Sequence, residues 1–275
     1  MSPYLAGLLV LACVAAGWVI GVLLYDKVLV KHAREGDSDA GLTDALAFVG
    51  GAFGIILGLL LVFAVQHFAD AREASRQEAS SAVALFNGAN PFAQEERAQL
   101  RRTVTCYMRS VAEDDWEAAR QADLTGAENT NAWAGQIQRA VEDLTLNNDA
   151  QSEFHYFVTE RTLALDAERA LRLQYALPEI PFAIWLVIFV CTFSFITLLT
   201  VHLGPRRRLR MVTVSVSTLV LLAIIMSLAS LDEPYTGTTA TVTPVAMQSA
   251  LLTLEDSFPD EDWGPCPVLE ANSFG

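Results

Sequence analysis

Four stretches of this chain contain no charged side chain: Tyr4–Tyr25, Ala45–Val65, Ile180–Val201 and Met211–Leu231. Asp, Glu, Lys, Arg and His are all missing from their interiors, and Asp44 and His67 flank only the ends of the second. Proton-coupled pumps and ion-coupled transporters need such groups near mid-membrane, so these classes recede. HExxH, GxSxG and the Walker phosphate loop are absent, which leaves no residue on which to rest a catalytic reaction, and no enzyme is expected. The four histidines, His32, His67, His155 and His202, do not cluster with Cys or carboxylates at metal-ligand spacing. No cofactor or metal is therefore expected. Lysine is scarce, with Lys27 and Lys31 alone against sixteen arginines, a bias that reads as genomic base composition. The segment Asp232–Gly275 has eight carboxylates and no Lys or Arg, and the whole chain carries a net charge of −14. So acidic a balance argues against nucleic acid and favours solubility or attraction of cations.

The uncharged stretches are themselves the strongest positive signal. Each is long enough to cross a bilayer as a helix, at about 1.5 Å per residue. The first lacks a basic flank and is too long for a cleaved leader, so it reads as a retained signal anchor. The expected fold is an all-α membrane protein, with four transmembrane helices and a helical-bundle domain inserted between helices 2 and 3. Residues 1–65 hold the first two spans, 66–179 the soluble domain continuing helix 2, 180–231 the last two spans, and 232–275 an acidic tail.

Helix 2 is expected to run from about Thr43 to Phe86, because no Gly or Pro interrupts the chain between Leu59 and Asn87. Asn87-Gly88-Ala89-Asn90-Pro91 then stops it. Further helices are expected over about Ala93–Gln121, Ala132–Leu146 and Gln151–Ala176. Their apolar stripes are Leu100/Val104/Tyr107/Val111, Trp133/Ile137/Val141/Leu144 and Phe154/Phe157/Val158/Leu165. Arg101, Arg102 and Arg109 occupy other faces of the first of these. Pro234–Pro244 reads as extended, and the carboxylates Glu255, Asp256, Asp260, Glu261 and Asp262 lack the spacing of a calcium loop, so disorder is expected there.

Gly50, Gly54 and Gly58 recur every four residues on span two, with Gly51 beside them; Gly17 and Gly21 form a lesser ladder on span one. Small residues at this spacing let helices approach closely in lipid. Two readings stay open: packing of spans one and two within a subunit, or assembly of several copies around an axis or pore. Ala71, Ala74, Ser75, Ala79 and Ala82 continue a small-residue stripe beyond the membrane and favour the shared axis. Phe48, Phe53 and Phe63 are gate candidates, though such rings commonly face lipid or neighbouring helices. The hydroxyls of spans three and four, among them Thr192, Thr197, Thr200 and Thr218, are expected mainly to bond their own backbone. His67 and Asp70 are expected to meet as a surface pair.

Lys27, Lys31 and Arg34 in one short loop, and Arg206, Arg207, Arg208 and Arg210 in another, place those loops in the cytoplasm. The 66–179 domain and the acidic tail are then extracytoplasmic. Cys13 and Cys191 read as apolar fillers within spans. On this topology Cys106 and Cys266 face an oxidising compartment, where a disulfide or two free thiols are both allowed.

Several segments resemble a bacterial membrane family described as bestrophin-like. They are ILGLLLVFAVQHFADAREASRQEASSAVALF, ERAQLRRTVTCYMRSVAEDDWEA, ERTLALDAERALRLQYALPEIPFAIW and SLDEPYTGTTATVTP. The resemblance covers about 43–250. It implies a channel-like oligomer with an apolar neck on the second span, because bestrophins are oligomeric anion channels. Two features depart from that pattern: bestrophins keep the insert and termini in the cytosol, and a chloride vestibule is expected to be basic. The reading is an oligomeric ion channel or conduit in the plasma membrane, a homo-oligomer in the lipid bilayer with inorganic ions as partners and helix 2 near the axis. The alternative is a non-conducting sensor or scaffold.

Overall fold

The computed structural model describes residues 3–24, 38–203, 207–236 and 240–269. The loop cations Lys27, Lys31, Arg34 and Arg206, and also His32, lie outside the described residues. The chain forms helices α1 (Pro3–Leu24), α2 (Ser38–Gly88), α3 (Gln94–Ser110), α4 (Trp116–Arg120), α5 (Glu128–Glu142), α6 (Asp149–Gln174), α7 (Phe182–His202), α8 (Arg207–Asp232) and α9 (Val245–Ser257). No strand occurs among the described residues. The chain divides into two units, residues 1–68 with 178–241, and 69–177 with 242–275. Helix α2 contributes to both without a break.

In the first unit, α1 packs on α7 and α8. Its core draws on all four spans, with Val10 from α1, Phe53 and Leu57 from α2, Trp185 and Ile196 from α7, and Leu221 and Ile225 from α8. The outer faces stay apolar, as at Leu8, Ile55, Phe182 and Leu219. Water-soluble proteins rarely expose so much contiguous apolar surface, whereas lipid covers it at no cost.

The glycines of α1 pack differently from the expectation. A Cβ on Gly21 would lie 2.8 Å from Thr200 Cβ, and one on Gly17 would lie 3.0 Å from the Phe193 carbonyl. The close partner of α1 is thus α7, and span two is not the helix those glycines admit. Thr192, Thr197, Thr200 and Thr218 each donate to the carbonyl four residues earlier, at 2.7–2.8 Å. These hydroxyls satisfy the backbone, as expected for isolated hydroxyls in spans.

In the second unit, α3 packs on α5 and α9, and α5 packs on α6. Helix α6 starts at Asn148, whose side chain accepts from Gln151 N at 2.9 Å, a regular N-cap. The helix expected over Ala93–Gln121 is interrupted by one π-helical turn, Val111–Asp115. Leu100, Val104, Tyr107 and Val111 are buried as the stripe requires, but Phe154 is exposed. Ala71, Ala74, Ser75, Ala79 and Ala82 are buried within this unit. That stripe is used inside one chain and gives no support to a shared axis.

The tail also departs from expectation. Instead of disorder, α9 and the segment after it dock on α3. Arg101 pairs with Glu261; Arg109 reaches Glu255 at 3.2 Å and the Trp263 carbonyl at 2.9 Å. Arg102 donates to the carbonyls of Gly264 and Pro265 at 2.7 and 2.5 Å. Phe86 stacks on Trp263, and Cys106 is joined to Cys266 by a disulfide.

Candidate functional site

Helix α2 has three distinct sides within the first unit. At about 100° per residue, Phe53, Leu57, Leu60 and Ala64 share one side, and all pack into the four-helix core. Phe48, Ile55, Leu59 and Val62 fall within about 60° of one another on a second side, with Phe63 at its edge. This stripe is exposed: Phe48 is 76% and Phe63 59% accessible, against 3% for Phe53. The three gate candidates therefore do not share one face. Phe53 is a core residue of its own chain, while Phe48 and Phe63 face outward.

The glycine ladder forms the third side. A Cβ placed on Gly51, Gly54 or Gly58 would meet nothing within 4 Å. Gly50 is the exception, since its Cβ would lie 3.1 Å from the Phe195 ring. An apolar groove of about 250 Å³ runs beside this ladder, bounded by Phe195 of α7 and Leu221 and Ile224 of α8. An open glycine face beside an apolar groove can accept another helix at backbone distance. Nothing on this face offers acid–base or nucleophilic chemistry.

The second unit buries a charged network that the sequence reading missed. Glu78 of α2, Asp115 of the π turn and Arg172 of α6 are fully buried, and Arg169 nearly so. Arg172 bridges Glu78 and Asp115 and lies 5.1 Å from the Trp116 ring centre. Arg169 donates to both oxygens of Asp115 at 2.6 and 2.9 Å and to Asn131 Oδ1 at 2.7 Å. Tyr107 donates to Glu78 at 2.8 Å, and Ala127 N donates to Asp115 at 2.8 Å. Two carboxylates face two guanidiniums, so the buried charge cancels.

Electrostatics follow from this pairing. Burial acts to raise the Asp115 carboxyl, but the Arg169 hydrogen bonds and both guanidinium charges outweigh it and hold the group below its usual range. Burial works against the Arg169 charge, and Asp115 more than restores it. Burial, then the Glu78 charge, pushes Tyr107 well above an ordinary tyrosine, so it stays a donor. Gly126, with φ of +69°, passes over this pair; a Cβ there would lie 2.3 Å from Arg169 Nη2. A signal was present in the sequence: Val158, Thr162, Leu165, Arg169 and Arg172 follow one helical stripe, so both arginines continue a buried face.

The remaining candidates separate. His67 does not pair with Asp70; its Nδ1 lies 3.1 Å from Glu179 Oε2, and it is buried. No group of three or more His, Cys, Asp or Glu side chains comes together as a metal site among the described residues.

Comparison with known proteins follows this architecture. The family described as Bestrophin-like domain matches residues 12–247. A variant of a bacterial bestrophin homolog from Klebsiella pneumoniae superposes with a TM-score of 0.68 at 13% identity, covering 91% of this chain and 99% of that one. A second variant structure of a Klebsiella pneumoniae bestrophin homolog gives 0.67 at 14% identity, covering 90% and 97%. A third structure, named only as a membrane protein, gives 0.63 at 14%, covering 90% and 97%. At such identities the likeness concerns the fold alone. No curated protein matches the chain.

Proposed function

Because the chain belongs to the bestrophin-like family, we propose that it is one subunit of a homo-oligomeric ion channel in the plasma membrane, with α2 nearest the axis. The observation that carries this reading is the side of α2 left open by its own chain. Gly51, Gly54 and Gly58 have no neighbour within 4 Å, and the Phe48–Ile55–Leu59–Val62 stripe beside them is exposed. In this reading the glycines admit an α2 or α8 of the next copy. Phe48 and Phe63 take the apolar constriction, without Phe53. Dry apolar constrictions gate by dewetting and need no charged lining, which suits a span with no charged residue from Ala45 to Val65. The net charge of −14 favours cations over anions as the permeant class.

The same reading places the second unit and the tail outside the cytoplasm. Its supports are the cationic short loops and the Cys106–Cys266 disulfide, since disulfides persist in oxidising compartments. The deciding experiment is mass measurement of the full chain in nanodiscs, followed by K⁺ and Cl⁻ flux from proteoliposomes. A ring of three or more copies with K⁺ flux is expected. A monomer or dimer without flux sinks the channel and returns the non-conducting sensor or scaffold.

A further inference from the structure

At one end of the spans, three polar groups meet in apolar surroundings. Helix α2 brings His67, two residues past the uncharged run that ends at Val65. The segment before α7 brings Glu179, and α8 ends on Asp232. Asp232 is 1% exposed. Its Oδ1 accepts the backbone N–H groups of Glu179 and Ile180 at 3.0 and 2.9 Å, which pins the chain where it turns into α7. Its Oδ2 has no hydrogen-bond partner among the described residues. A carboxylate oxygen buried this way carries a desolvation cost that one bound donor would offset. Asp232 and Glu179 line a cavity of about 170 Å³, together with His67 and the apolar side chains of Leu60, Phe63, Pro181 and Ile184.

We propose that this corner binds a primary alkylammonium group, with Asp232 as its counter-charge. The lining selects that chemistry by elimination. Two carboxylates repel anions. A calcium-like ion wants six or more oxygens, and no ligating trio of acidic, His or Cys side chains is present among the described residues. A neutral apolar molecule leaves Asp232 Oδ2 without a donor. An ammonium supplies three N–H donors and a charge, its alkyl stem meets the aliphatic walls, and the Phe63 ring is a favourable neighbour for a cation. The corner lies where the apolar runs of α2, α7 and α8 end, the depth of lipid headgroups. The ammonium can therefore come from an ethanolamine headgroup or from a free amine in water, and it competes with the chain's own positive charges, the terminal amine and His67, that act on Asp232.

The test uses the full chain. Propylammonium chloride is titrated against matched NaCl in detergent, with binding read by calorimetry and by the shift in Tm. In parallel, nanodiscs of phosphatidylethanolamine or phosphatidylcholine are compared by native mass spectrometry for retained lipid. Asp232→Asn keeps an oxygen for the two backbone donors but removes the charge; Ile184→Trp fills the cavity. Saturable propylammonium binding is expected, about tenfold or more weaker in Asp232→Asn, as for loss of a charge-assisted hydrogen bond, and abolished in Ile184→Trp. Preferential retention of phosphatidylethanolamine, displaced by the amine, assigns the headgroup; amine binding without lipid preference assigns a free amine. The proposal fails if propylammonium does no more than NaCl, if folded Asp232→Asn binds equally, or if CaCl₂ stabilises the chain where the amine does not. Should Asp232→Asn not fold, unchanged binding in Ile184→Trp overturns the proposal and lost binding supports it.

Discussion

Replacing Gly54 by leucine separates assembly from folding, because the glycines of this chain fall into two physical kinds. At Gly54 a new side chain enters the open groove, since no atom lies within 4 Å of its Cβ. Removing a mid-helix glycine also favours the helix by about 0.5–1 kcal/mol. The single chain should therefore unfold no more easily than the wild type. Between copies the effect reverses. A helix seated on the glycine face is pushed outward, and overpacking of this kind costs about 1–3 kcal/mol per contact, or about tenfold to a hundredfold in each association constant. Gly21→Leu is the control. Its Cβ would lie 2.8 Å from Thr200 Cβ and 3.0 Å from the Thr197 carbonyl, so its cost falls within the chain. Both variants are measured in nanodiscs for mass, for thermal unfolding of the dilute monomer, and for K⁺ flux. Gly54→Leu should lose the ring and the flux while keeping its Tm; Gly21→Leu should lower Tm. A Gly54→Leu protein that assembles and conducts normally would refute the reasoning, as would one that unfolds as readily as Gly21→Leu.

Other outcomes follow from the second unit. Arg172→Leu leaves Glu78 and Asp115 without their shared guanidinium and should destabilise the chain by about 3–5 kcal/mol in denaturant titration; a change below about 1 kcal/mol would mean water reaches the network. Because the Asp115 carboxyl is held below its usual range, its contribution is complete above its unfolded value of about 4 and is lost as pH falls through the lower folded value. Asp115→Asn should therefore flatten the stability profile below about pH 4, and an unchanged acid slope counts against the pairing. Cys266→Ser opens a loop closed across 160 residues, so unfolding should ease by about 2–5 kcal/mol and the segment 258–269 should become more sensitive to protease; equal digestion of both proteins would show that the arginine contacts alone hold it. Sidedness is best tested by a cysteine at the exposed Leu124, since Gly126 nearby has no room for a Cβ. Leu124→Cys should react with an impermeant maleimide on intact cells; silence beside a reactive external control would reverse the orientation.

What could be read from the sequence was set by local constraints. A span must be apolar over its whole length, so all four emerged from composition alone. The unbroken α2 followed from the lack of Gly and Pro between Leu59 and Asn87. Long-range pairing has no such local trace. His67 has Asp70 three residues away, yet its partner is Glu179. The tail carboxylates read as disordered because Arg101, the partner of Glu261, is 160 residues distant. Arg169 and Arg172 lie on a helical stripe with Val158 and Leu165, but two arginines on a buried face make sense only once Glu78 and Asp115 arrive from elsewhere.

Small residues make the same point more sharply. Gly17 and Gly21, Gly54 and Gly58, and Ala71 through Ala82 carry one signature, permission for close approach. Folding assigns them different partners: α7 for the first pair, the second unit's own core for the alanines, and none within the chain for Gly54 and Gly58. Spacing tells where a neighbour could come close, and only the folded chain tells where that neighbour has not yet been supplied. The case for a second copy therefore rests on Gly51, Gly54 and Gly58 and the exposed stripe beside them, and small-residue stripes elsewhere in the chain add nothing to it.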